Sequence, residues 1–164
     1  MINLQKLFLV TVFAISFATV SQAQVHYGQQ AYEISLPSMN GDTVKLSSLR
    51  GKVVLVDFWA SWCGPCRMSN KKLVKFYPKY KDKGFEILSV SLDKESADWK
   101  KAVQQDKIKW LQVNDNGGWD ARTGAQWNIY QIPTSYLIDK DGKVVAMDLE
   151  GKDLEKALKE LLGS

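Results

Sequence analysis

The sequence predicts an α/β domain in which a mixed β-sheet is flanked by helices on both faces. Three observations carry this expectation. KVVLVDFWA at 52–60 is a continuous apolar run with β-branched residues, the pattern of a central strand buried on both faces, and GFEILSVSLD at 84–93 reads as a second core strand. Helix-like segments alternate with these runs, and strand–helix alternation implies parallel strands. Late in the chain, TSYLIDKDGKVVAMDL at 134–149 reads as a hairpin turning at Asp141-Gly142, which adds antiparallel strands.

The elements follow in order. Residues 24–30 form a short polar lead-in. Residues 32–36 and 43–46 pair as a hairpin around Asn40-Gly41, a strong tight-turn signal, and 47–50 make one helical turn. After the strand at 52–60, a helix is expected over 64–80, with Leu73, Phe76 and Tyr77 sharing one face. Residues 96–106 read as a helix capped by Ser96. A short strand at 109–113 and a turn with a short helix at 117–127 come next. The closing helix at 153–163 carries an apolar stripe of Leu154, Leu158 and Leu161, and Gly163 is a suitable stop. The order after the first hairpin is β-α-β-α-β-α-β-β-α. There is no internal repeat and no low-complexity segment.

The 164 residues, 45% hydrophobic and 24% charged, fit one domain with a sizeable core, placed at 31–164. The net charge of +4 is modest and the lysines are spread along the chain, so no nucleic-acid surface is expected. Residues 1–23 have the three parts of a secretory signal: Lys6, an apolar run over 7–20, and small residues at Ser21 and Ala23 before a cut. The apolar run is shorter than the roughly 20 residues of a membrane span. The alternative reading is an uncleaved N-terminal membrane anchor. No cysteine follows the cut, which argues against a lipid-anchored N-terminus. The expected location is outside the cytoplasm, in a bacterial periplasm, where disulfides persist.

Cys63 and Cys66, in FWASWCGPCR at 58–67, are the only cysteines. As a structural staple they would close almost no loop and add little stability. As a zinc clip they lack a second pair, and the lone His26 lies near the mature N-terminus. Covalent haem would need His at the position of Arg67. No metal and no cofactor are therefore expected. Redox chemistry remains: the pair stands where a buried strand meets a helix N-terminus, whose partial positive charge lowers a thiol pKa, and Pro65 fits the first helical turn.

VDFWASWCGPCR resembles the active-site segment of thioredoxin. With the signal segment, the first hairpin and the expanded middle, residues 30–162 resemble the extracytoplasmic thioredoxin-like thiol-disulfide oxidoreductases, the TlpA/ResA-like group. The resemblance implies a thioredoxin-like fold with an N-terminal hairpin and a strand–helix insertion before a cis-proline segment. QIPTSYLIDKDGKVV then places the cis-proline at Pro133, with the Ile132 backbone free to pair with an extended substrate. It implies that Cys63 is the nucleophile and Cys66 the resolving thiol in disulfide exchange. Asp57 matches the buried aspartate proposed to accept the Cys66 proton, and Trp62 is expected as an apolar contact surface over the disulfide; Trp59 is expected in the core.

Three positions depart from the family. Ser89 stands where thioredoxin pairs its buried aspartate with a lysine, so Asp57 should ionise less readily. Ser69 replaces a frequent Glu after the second cysteine, which weakens a specialised cytochrome-c maturation role. Lys71 replaces a helix-kinking proline, so a straighter helix is expected. The longer middle region carries Trp99, Trp110, Trp119 and Trp127, expected mostly in the core with some lining a partner groove.

The leading expectation is reduction of disulfides in exported proteins, because Gly-Pro between the cysteines resembles reducing thioredoxin. Such a reductant implies a membrane thiol-electron donor as partner. The alternatives are an exported oxidant or isomerase, a peroxiredoxin-like peroxidase, disfavoured because Ala60 stands where those enzymes carry Thr, and a non-catalytic peptide-binding module. Nothing in the sequence sets the oligomeric state.

Overall fold

The computed structural model describes residues 27–163. The expected signal segment at 1–23 and His26 lie outside the described residues. Two short strands, β1 (Ser35–Pro37) and β2 (Thr43–Lys45), pair antiparallel as a separate hairpin. The main sheet has five strands: β3 (Val53–Trp59), β4 (Phe85–Ser91), β5 (Leu111–Asn114), β6 (Thr134–Ile138) and β7 (Val144–Met147). Their order is β5-β4-β3-β6-β7. β3, β4 and β5 run parallel, while β6 is antiparallel to β3 and β7 to β6. Four helices complete the domain: α1 (Gly64–Phe76), α2 (Ser96–Gln105), α3 (Arg122–Gln126) and α4 (Gly151–Leu162). The strand and helix order is the one the sequence predicts, and the fold is thioredoxin-like.

The central strand shows why its sequence lacks polar alternation. All seven residues of β3 are buried. Val53, Leu55 and Trp59 face one core with Leu73 of α1, Trp99 and Val103 of α2, and Leu154 and Leu158 of α4. Val54, Val56 and Phe58 face a second core with Ile34, Leu46 and Leu49 from the hairpin region, and with Ala121, Trp127 and Ile129 around α3. With period-two side chains, both sets must be apolar when both faces are covered.

Two boundaries differ from the sequence expectation. α1 ends at Phe76 rather than at 80, and the chain continues in 3₁₀ turns at Tyr77–Lys79 and Lys81–Lys83. Pro78 has no N–H to donate to an i−4 carbonyl, which stops the α-helical ladder. α2 starts on Glu95 as N-cap with no side-chain capping bond; Ser96 is its first helical residue rather than its cap. α1 itself is one continuous helix through Lys71. Gly163 closes α4 in the left-handed region (φ +72°). At the β6–β7 turn, Gly142 combines a positive φ of +86° with the Arg50 guanidinium packed where a Cβ would stand.

The N-terminal segment touches both edges of the main sheet. Gln30 bridges Lys143, and the Gly28 N–H donates to the Val144 carbonyl, at the β7 edge. Ser38, just past β1, bridges Val113 at the β5 edge. Residues 28–30 of the polar lead-in thus lie against the sheet. No described helix is long and apolar enough to cross a membrane.

Candidate active site

The chain leaves the C-terminal end of β3 at Trp59 and turns directly into α1. Cys63 is the N-cap of α1, in extended conformation (φ −85°, ψ 100°), and Pro65 occupies the first turn. Cys63 and Cys66 are joined by a disulfide. The Cys66 backbone N–H donates to Cys63 Sγ at 3.2 Å. The first turn of α1 carries no acidic residue, so nothing there offsets the positive end of the helix. That arrangement favours a thiolate on Cys63 once the disulfide is reduced. Both cysteines are buried, Cys66 (1% exposed) more deeply than Cys63 (6%).

The loop before the pair is held from both sides. The Asp93 carboxylate accepts from the Ser61 N–H at 2.9 Å and from its hydroxyl at 2.6 Å, and it also accepts from Ser91 Oγ at 2.7 Å. On the other side, Arg67 Nη1 donates to the Ser61 carbonyl at 3.2 Å. The same guanidinium pairs with the Asp106 carboxylate through Nε and, at 2.8 Å, through Nη2. The Asp106 partnership pushes the Arg67 pKa up further. The loop is thereby fixed to β4 and α2 before any substrate arrives.

The Ile132–Pro133 peptide bond is cis. The Ile132 carbonyl oxygen lies 3.8 Å from Cys63 Sγ. Ile132 and Pro133 are half-buried, and Thr134 opens β6 beside β3. Trp62 is exposed (56%), and its ring centroid stands 6.0 Å from that of Trp119, which is also exposed (53%). Trp59, Trp99, Trp110 and Trp127 are buried. Of the tryptophans in the expanded middle, Trp119 alone joins the site surface.

Asp57 lies on β3, paired in register with Ser89 of β4 and Ser135 of β6. Burial pushes its carboxyl up to about 7, opposed by a hydrogen bond from Ser89 Oγ at 3.2 Å and reinforced by the charges of Asp148 and Glu150. Ser89 Oγ in turn accepts from Trp110 Nε1 at 2.8 Å. Asp57 lines a cavity of about 150 Å³ with Ser69, Lys72, Pro133, Asp148 and Glu150. Lys72 is a cation at this cavity, but its ammonium pairs with Glu150 at 3.1 Å. Asp57 therefore has the burial and the lack of a cationic partner that the Ser89 substitution implies. Among the described residues, no group of three or more His, Cys, Asp or Glu side chains is placed to hold a metal ion.

The structure thus brings Cys63, Cys66, Trp62, Ile132 and Pro133 to one end of the sheet, with Asp57 in the cavity that Pro133 also lines. Sequence reasoning missed Ser61, Asp93, Asp106 and the role of Arg67. Ser61 meets Asp93 across 32 positions and Arg67 meets Asp106 across 39. The one local signal was a polar Asp93 just past the β4 strand run.

The AhpC/TSA family profile matches residues 27–147. The chain is 33% identical over 141 residues to the thiol-disulfide oxidoreductase ResA of Bacillus thuringiensis subsp. konkukian, covering 86% of this chain and 79% of that protein. Among solved structures, the thioredoxin domain of a thiol-disulfide oxidoreductase from Bacteroides vulgatus superposes with a TM-score of 0.78 at 37% identity, covering 85% of this chain and 99% of that one. A thiol-disulfide oxidoreductase from Bacteroides fragilis gives a TM-score of 0.76 at 36% identity, covering 81% and 99%.

Proposed function

Because the chain belongs to the AhpC/TSA family and is a thiol-disulfide oxidoreductase, we propose that it reduces disulfides in exported proteins. The observation that carries disulfide exchange is Cys63 at the N-cap of α1, its sulfur receiving the Cys66 N–H and facing an uncompensated helix N-terminus, and the reducing direction follows the Gly-Pro dipeptide that resembles reducing thioredoxin. In the reduced protein, Cys63 thiolate attacks one sulfur of a substrate disulfide. A Cys63–substrate S–S bond forms, the substrate S–S bond breaks, and the departing sulfur takes a proton. Cys66 gives its proton to Asp57, attacks Cys63 Sγ and expels the second substrate thiolate. Two electrons pass from the dithiol to the substrate, and the protein is left with the Cys63–Cys66 bond.

The substrate chain lies along Ile132 and Pro133, the Ile132 backbone serving as a short template for strand-like pairing. Trp62 supplies the apolar contact beside the sulfur. Another cycle needs two electrons from outside, for which a membrane thiol-electron donor is the partner of this reading. The expected signal at 1–23 supports action in a bacterial periplasm.

The test is the reduction potential of the Cys63–Cys66 pair in defined thiol buffers. A value near about −270 mV or below supports a reductant, and a value near about −120 mV identifies a disulfide donor and overturns the direction. A peroxide-consumption assay separates the peroxidase reading. Cys63→Ser is expected to abolish every disulfide-exchange activity.

A further inference from the structure

The stretch between β4 and β5, and the turn before α3, build a groove that begins at the residue preceding Cys63. Its walls are Trp62 and Trp119, and its floor includes Leu92, whose N–H bonds the Trp59 carbonyl. Two indole faces more than half exposed are an unusual use of the residue that most rewards burial, and such aromatic surfaces mark contact sites. The groove is also acidic. Glu95, Asp98 and Asp120 are exposed along it, and among the described residues none of the three makes an ion pair. The cation in the lining is Lys94, whose stem packs over Gly118, a glycine with φ +63°. The chain as a whole carries a net charge of +4, so the groove reverses the sign of the protein around it.

We propose that this groove docks a lysine- or arginine-bearing segment of the disulfide substrate, the cation resting against Trp62 and Trp119 within reach of the three carboxylates. The proposal rests on the reductase reading and supplies the substrate class that reading lacks. Indole faces attract cations through their quadrupole, and unpaired carboxylates at a groove raise the rate of encounter with a positive partner. The groove adjoins Cys63, so a bound cationic residue lies a few residues from the disulfide that Cys63 attacks.

The test uses the reduced full-length protein and three cystine peptides of one length, identical except for two flanking residues: Lys, Gln or Glu. Oxidation of the protein is followed by stopped-flow tryptophan fluorescence, with 2-hydroxyethyl disulfide as an uncharged reference. The Lys peptide is expected to react about tenfold faster than the Glu peptide at low salt, and less selectively at high salt. The overall positive charge of the protein predicts the opposite order. The Lys/Glu ratio is expected to fall to about one in Glu95→Gln/Asp98→Asn/Asp120→Asn, and the Lys/Gln ratio to fall severalfold in Trp119→Ala. Equal rates, a faster Glu peptide, or a ratio that survives these substitutions overturns the groove assignment. If 2-hydroxyethyl disulfide is not reduced either, the reductase reading itself has failed; if it is reduced while the peptides are not distinguished, only the groove assignment falls.

Discussion

Two buried carboxylates flank the redox pair, and they are treated in opposite ways. Asp93, at 2% exposure, accepts three hydrogen bonds, two of them from Ser61 in the loop before Cys63. Asp57, at 5% exposure, has one hydrogen bond from Ser89, with the negative charges of Asp148 and Glu150 acting against it. Burial alone does not make an acid chemically active. Three donors make Asp93 a fixed point of the scaffold, while burial with a single hydrogen bond leaves Asp57 poised to exchange a proton near neutral pH.

The contrast can be broken most forcefully through pH. The folded Asp57 holds its proton up to about 7 against an ordinary value of 3.8, so the native state binds more protons than the unfolded chain between those values. Stability therefore falls as pH rises from about 4 to 7 and levels off above, a loss of about 4 kcal/mol. Asp57→Asn removes that loss. Urea denaturation of the oxidised protein at pH 4.5 and pH 8 is expected to show the variant gaining on the wild type at the higher pH; a gain that does not depend on pH would contradict the assignment. Asp93→Ala is expected to act in the other direction at every pH, costing about 3 kcal/mol by stranding the Ser61 donors. The same denaturation experiment measures it.

Chemistry separates the two acids next. Asp57→Asn is expected to slow release of the mixed disulfide by Cys66 about 10²-fold at neutral pH and to flatten its rise with pH, as read by quenched single-turnover experiments. The smallest effect belongs to Ser89→Ala. Removing the hydrogen bond that favours the Asp57 carboxylate is expected to move the inflection in that pH profile upward by about one unit. An unmoved inflection would mean that Asp57 does not govern it.

Much of this molecule is legible in its sequence. A strand with no polar alternation must be covered on both faces, and VVLVDFW marks β3 as such a strand. The Asp in that run could be singled out as a buried acid, and the absence of a cation was readable from Ser89. The end of α1 was also written there, in Pro78, whose effect on the preceding turn the apolar periodicity masked. What could not be read are pairings between distant segments. Trp119 meets Trp62 across 57 positions with no periodic pattern to announce it. Ser61 is an ordinary small polar residue until Asp93 and Arg67 close on it.

One feature away from the chemistry bears on the life of the protein in solution. An open sheet offers a row of free N–H and C=O groups along each outer strand, and those rows are where copies of a chain stack into fibrils or exchange strands. Here the same N-terminal segment lies against both margins, at Val144 through Gly28 and at Val113 through Ser38. A single strap therefore guards the two places where self-association would begin. Trimming the chain past Gln30 uncovers the β7 margin, where Val145 and Met147 already stand exposed.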